Sequence, residues 1–328
     1  MKKTFALLSA VVLAAGLCAS AADAKTVLRL ATDVSRQDTQ SQGGEYFVKL
    51  VDEATKGDVE VKFYPDGTLG SSTAIVSGVR TGTIDMAIIG CVNLGGLADG
   101  FLALDLPFIF KDKPHVYRAL DGKVGEALNA QLDKVGLVGL SYFENGFRNI
   151  TNSRAPIKVP DDVKGLKIRV PQSNTLVATF EALGANPVPM AYGELYTAME
   201  TGAIDSQDHP MPALYAGKFY EVQKYLSMTR HGYAAVAFVV NKRKFDKLTP
   251  EQQDIIRDAA IKAANYQRNL NSEMEGQMVA DMEKTGLQVN DDVQLDLFVE
   301  ATKSVRDAFV KEHGDEIVKL IEAERNVE

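Results

Sequence analysis

The sequence predicts an α/β protein of two domains, and three observations point there. Strand and helix patterns alternate from residue 26 onward: a strand over 26–31, a helix over 44–54 from the spacing of Phe47, Leu50, Val51 and Ala54, an alternating strand over 59–63, a helix over 72–81 and a buried parallel strand over 84–89. That β-α-β-α-β order implies a doubly wound sheet with right-handed crossovers. The 328 residues exceed the ~250–300 at which a single core stops growing. A short pattern, Thr-Gly followed by a small residue and Ile-Asp, occurs at 80–85 and again at 200–205, as two halves of similar build would show.

Residues 1–24 read as a secretory signal. Lys2 and Lys3 form the basic end, 5–19 the apolar and small-residue run, and Ala22-Asp23-Ala24 the cleavage site before Lys25. The run is short for a membrane span. Leu17 stands before Cys18 where a lipid anchor needs a small residue, so lipidation is not expected. Cleavage would leave 304 residues, and losing two lysines and one aspartate would take the net charge from −8 to −9. No later stretch has ~18 uninterrupted apolar residues, so a soluble, periplasmic protein is expected. Its acidic balance argues against nucleic acid or an anionic membrane as partner. Capture of an anion would have to come from a local cluster. Cys91 is the one cysteine left after cleavage, which leaves no internal disulfide and no thiolate metal site.

Residues 101–110, FLALDLPFIF, form the most apolar run of the mature chain, and Pro107 denies it an uninterrupted helix; it is expected to be a core-filling loop. An amphipathic helix or two follows over 113–135, then a strand over 137–143. The Asn145-Gly146 turn signal marks where the chain is expected to cross into the second domain. There a helix over 173–183 stops at Gly184, 186–190 forms a rigid extended link, and 192–201 is helical. Strands are expected over 222–228 and 234–240, the second returning to the first domain. Thr249 caps a helix with Pro250 at its first position, and 251–284 is helix-permissive except at Gly276. Such a helix is ~50 Å long. One or two amphipathic helices end the chain over 295–322. The expected domains are thus 25–145 with about 234–273, and 146–233 with about 274–328.

Two arginines stand out near the middle. In Leu166-Lys167-Ile168-Arg169-Val170 the aliphatics alternate with the cations, so Arg169 faces away from the core of a strand that Pro171 ends. Arg148 closes another strand-like run. A guanidinium offers a planar fork that matches the two oxygens of a carboxylate, which an ammonium does not.

The segments GFRNITNSRAPI, DDVKGLKIRVPQSN, ALGANPVPMAYGELYTAMETGAIDSQDHP and FYEVQKYLSMTRH stand in one order along the chain. Together they resemble the substrate-binding subunits of TRAP (tripartite ATP-independent periplasmic) transporters, of the C4-dicarboxylate-binding type, over residues 27–322. The resemblance implies a periplasmic-binding-protein fold with a ligand cleft between domains, crossed by the long helix as a spine. It implies that Arg169, in the Arg-Val-Pro motif with Pro171, binds the ligand carboxylate, with Arg148 as a second basic residue of the pocket. His209 occupies a position where many members have an asparagine that touches the ligand. Gly90 and Asn93 stand where sialic-acid binders carry charged residues, Phe147 where they have a small polar one, and Tyr192 where an aromatic is usual. Asp208 and Asp33 are candidates to receive an amino group.

A glycine in place of a charge and an added phenyl ring suggest a small monocarboxylate, an aromatic, amino or keto acid in preference to a sugar acid. The expected partners are that ligand and the small and large membrane permease subunits, with the protein itself a monomer and not membrane-embedded. An extracytoplasmic sensor that presents a bound acid to a signalling receptor would share the whole fold. Enzyme readings find little to rest on: Gly-x-Ser-x-Gly, a Walker loop, Gly-x-Gly-x-x-Gly and His-Glu-x-x-His are all missing from the sequence. His115, His209, His231 and His313 lack helical ligand spacing. No metal or other cofactor is expected.

Overall fold

The computed structural model describes residues 25–327, so the expected signal segment lies outside the described residues. In chain order the elements are β1 (Thr26–Ala31), α1 (Thr39–Thr55), β2 (Val59–Tyr64), α2 (Ser72–Thr81), β3 (Met86–Gly90), α3 (Lys113–Asp121), α4 (Lys123–Lys134), β4 (Leu137–Asn152), β5 (Lys167–Val170), α5 (Asn174–Ala182), β6 (Asn186–Pro189), α6 (Leu195–Glu200), β7 (Ser206–His209), α7 (Met211–Ala216), β8 (Tyr225–Asn241), α8 (Lys242–Phe245), α9 (Pro250–Lys284), β9 (Gln288–Asn290), α10 (Leu295–His313) and α11 (Glu316–Ala323). The strands run in the order β2-β1-β3-β8-β4-β7-β5-β6, and β9 pairs with β8. β1 is parallel to both β2 and β3, which is the doubly wound arrangement expected of the first half.

β4 and β8 are common to both halves. They pair antiparallel from Leu137–Asn241 at one end to Asn152–Tyr225 at the other. β8 was expected as two shorter strands, and β4 as one that stops at Phe143 before a turn at Asn145-Gly146. The chain instead passes straight through, and the turn signal is spent on a bulge: the register shifts between Glu144 and Gly146, where Gly146 takes φ +117°. α9 holds that bulge in place. Gln267 accepts from the Glu144 amide at 2.9 Å and donates to the Glu144 carbonyl at 2.7 Å, and Asn271 donates to the same carbonyl at 3.2 Å. The expected extended link 186–190 is the edge strand β6, where Pro187 and Pro189 cost no ladder bond to a further strand.

α9 runs unbroken through Gly276 for 35 residues, about 50 Å. Its start is fixed by a capping box, Thr249 Oγ1 accepting from the Gln252 amide while Gln252 Oε1 accepts from Thr249. Ile256, Ala259, Ala260, Ala263 and Ala264 pack on the first half, and Met282 packs among second-half residues. The helix therefore spans both halves. The C-terminal segment departs from the expected boundary. Phe298 packs with Ile150, Ile168 and Phe180 of the second half, whereas Val305, Phe309, Ile317, Val318 and Ile321 join the first-half core around Leu104 and Leu128. β4, β8, α9 and α10 thus all cross between halves. Among the described residues no helix is long and apolar enough to cross a membrane.

Candidate functional site

Where the two halves meet, a cavity of about 80 Å³ is lined from both sides. The first half contributes Asp33 and Val34 after β1, Gln40 from α1, Ser72 from α2, Gly90 at the end of β3, Val92 and Asn93 just beyond it, and Asp105. The second contributes Arg169, Pro171, Tyr192 and His209. The shared strands supply Asn145, Arg148, Ala234 and Ala235.

Arg169 is 3% exposed. β5 sits between β6 and β7, which places Arg169 beside Val188 and Gln207. Its Nε and Nη2 both donate to the Met190 carbonyl, at 3.0 and 2.7 Å, and its Nη1 lies 3.4 Å from His209 Nε2. A guanidinium has five N–H donors. The protein therefore leaves one on each terminal nitrogen without an acceptor among the described residues. Among the described residues no carboxylate pairs with this cation. Burial lowers its pKa to about 10, so it stays charged at neutral pH.

His209 is turned to that purpose. Gln207 Nε2 donates to Thr151 Oγ1 at 2.6 Å, so Gln207 Oε1 faces His209 Nδ1 and accepts its proton. The Nε2 lone pair is then free to accept from Arg169. Burial, followed by the charges of Arg169 and Arg148, pushes the imidazole well below its ordinary 6.5, which keeps it neutral. Tyr192 and Phe219 close around the ring, with centroids 5.6 and 5.8 Å from it.

Arg148 is differently placed. Its Nε lies 2.5 Å from Asp208 Oδ2, and its Nη2 donates to Asp208 Oδ1 at 3.1 Å and to the Asp208 carbonyl at 2.8 Å. His231 Nε2 adds a contact to Asp208 Oδ2 at 3.2 Å. Burial alone would raise the Asp208 pKa, but Arg148 and His231 hold the carboxyl well below its usual range. Arg148 thus reaches the cavity with its charge already offset and only Nη1 without a protein acceptor.

Asp33, Gly90, Asn93, Arg148, Arg169, Pro171, Tyr192 and His209 are brought together on the cavity wall. Asp208 and Phe147 are not. Asp208, expected to face a ligand amino group, sits behind Arg148 as its counter-ion. Phe147 packs edge-on against Tyr233 at 5.2 Å, within the first-half core. Neighbouring strand residues point to opposite faces, and here the Phe147 ring goes into the core while Arg148 reaches the cavity.

Gln40, Ser72, Asp105 and Asn145 went unrecognised in the sequence. Asp105 had a signal: it is the one charge in FLALDLPFIF, and a lone carboxylate in a buried apolar run is costly unless it has a task. Asn145 was masked by its reading as a turn residue. Its Oδ1 is buried with no hydrogen-bond partner among the described residues. Ser72 looked like a helix-terminal residue, and Gln40 carried no signal.

Two α/β halves on a shared sheet, meeting over a cavity with an unpaired buried arginine, define a cleft-type binding protein for a small anion. The chain belongs to the bacterial extracellular solute-binding proteins of family 7, whose model matches residues 30–313; this is the TRAP solute-binding family. It is 44% identical over 298 residues to the 2,3-diketo-L-gulonate-binding periplasmic protein of Escherichia coli K12, covering 90% of this chain and 91% of that one. Among solved structures it is similar to a TRAP periplasmic solute-binding protein from Polaromonas sp. JS666 bound to D-erythronate, with TM-score 0.89, 31% identity and coverage of 92% and 100%. One from Sulfurospirillum deleyianum with bound succinate gives TM-score 0.86, 28% identity and coverage of 92% and 99%. The family binds small organic acids in the periplasm and works with a membrane permease; its members are solute-binding proteins and not enzymes.

Proposed function

We propose that this protein captures a small monocarboxylate with an oxygenated body, a hydroxy or keto acid with sugar acids included, and delivers it to the small and large permease subunits of a TRAP transporter. The observation that carries this reading is Arg169: a buried cation with no carboxylate partner among the described residues, which has one N–H free on each terminal nitrogen in a cavity lined by both halves. A ligand carboxylate would complete it, and contact with both halves at once would favour the closed arrangement. Export through cleavage of residues 1–24 belongs to the same proposal.

The preference for an aromatic acid over a sugar acid is left with Gly90 as its one support. Phe147, its other support, packs in the core, whereas Asp33, Gln40, Ser72, Asn93, Asp105 and Asn145 give the cavity a wall of hydroxyl partners. 2,3-Diketo-L-gulonate and D-erythronate, the ligands of the Escherichia coli and Polaromonas proteins, are oxygenated acids of this kind. Since a bound ligand raises apparent stability by mass action, a thermal-shift panel of sugar, hydroxy, keto, amino and aromatic acids tests the reading. Hydroxy or keto acids are expected to give the largest shifts and to be recovered chemically unchanged. Shifts confined to aromatic acids, or recovery of a converted product, would overturn it.

A further inference from the structure

The cavity holds two carboxyl groups that no lysine or arginine pairs with among the described residues. Asp33 accepts from the Ser72 hydroxyl, and Asp105 Oδ2 accepts from Ser173 Oγ at 3.0 Å. Both reach the cavity from the first half, whereas the Arg169 fork comes from the second. A ligand that seats its carboxylate on Arg169 therefore lays its body toward carboxyl groups.

The charges of the site can be counted. Arg148 is offset by Asp208 in a buried pair. Arg169 is the one arginine of the cavity that lacks a protein counter-ion, and one ligand carboxylate supplies it. A second ligand carboxylate would find no free cation, because the Arg148 charge is already matched. It would also stand in a low-dielectric space with Asp33 and Asp105, where like charges repel far more strongly than in water. Hydroxyl groups meet the opposite reception, since they donate to carboxylate oxygens.

We propose that Asp33 and Asp105 are specificity-determining residues that admit hydroxyl-bearing monocarboxylates and exclude dicarboxylates. This rests on the proposed function, and it separates the chain from relatives that carry dicarboxylates, such as the succinate-bound Sulfurospirillum protein. Burial pushes both carboxyl groups above their ordinary range, Asp105 to about 7. A second anion would have to be repelled or accompanied by a proton.

Titration calorimetry with two matched pairs tests this: D-erythronate against succinate, which share four carbons, and galactonate against galactarate, which share six. The wild-type protein is expected to favour the monocarboxylate of the better-bound pair by about 100-fold or more. Asp33→Asn and Asp105→Asn keep the shape and an acceptor for Ser72 or Ser173, and at least one should narrow that preference about tenfold by tightening the dicarboxylate. Equal wild-type affinity within a pair overturns the inference without needing a variant to fold. So does a preference that both folded variants leave unchanged. Binding that survives Arg169→Ala undiminished sinks the proposed function itself and this inference with it, whereas no binding of either pair overturns this inference alone.

Discussion

Arg148 and Arg169 line one cavity, are almost equally buried, and do opposite work. Arg148 lies in the middle of a strand shared by both halves, locked to Asp208 with His231 behind it. Arg169 stands near the end of β5, held only by a carbonyl and a neutral imidazole. The first is part of the framework. The second is a buried cation with no carboxylate partner among the described residues, which on the proposed function a ligand would complete. Burial alone does not tell the two apart; the partner does.

The largest expected effect separates these roles. Asp208→Ala strands the Arg148 charge in the interior and should lower unfolding free energy by about 3–5 kcal/mol in urea titration. Arg169→Ala should leave the unliganded protein as stable as before or more so. Equal destabilisation by both would erase the distinction. Phe147→Ala should come next, costing about 2 kcal/mol as a half-buried aromatic. It should weaken short and branched acids alike, since the ring touches Tyr233 and not the cavity; selective loss of branched acids would return Phe147 to the site.

The smallest effect is in pH. Asp105 is raised to about 7 and Asp38, at the start of α1, to about 6, both chiefly by burial. A carboxyl raised in the folded state holds its proton longer than in the unfolded chain, so stability is full below about pH 4 on this account and is lost as pH rises through 6 and 7. A bound anion raises Asp105 further, so ligand affinity should fall a few-fold between pH 6 and 8. Arg169, at about 10, and the neutral His209 do not titrate in that window. Asp105→Asn should flatten the profile; a slope that persists would place the proton elsewhere.

Much of this contrast was legible in the chain. The period of two around Arg169 and the proline after it announced a cation at a strand end, and Thr249-Pro250 announced α9. The pairing of Arg148 was not legible, because Asp208 lies sixty residues away and meets it only when β7 pairs with β4. The continuity of β4 was hidden by Asn145-Gly146, whose turn chemistry serves a bulge. Phe147 could have been placed correctly by the same alternation that placed Arg169. Asp105 was readable as a charge inside an apolar run, yet its contact with Ser173 depends on both halves being assembled.

The most direct test of the unpaired fork is a calorimetric cycle on the best acid from the thermal-shift panel and its primary amide, with wild-type protein and Arg169→Ala. Truncating one partner of a buried hydrogen-bonded charge pair costs about 2–5 kcal/mol, roughly 30-fold to several thousand-fold in affinity. The account predicts that loss on going from acid to amide in the wild type, and almost none in Arg169→Ala. Acid and amide binding alike to the wild-type protein would contradict it.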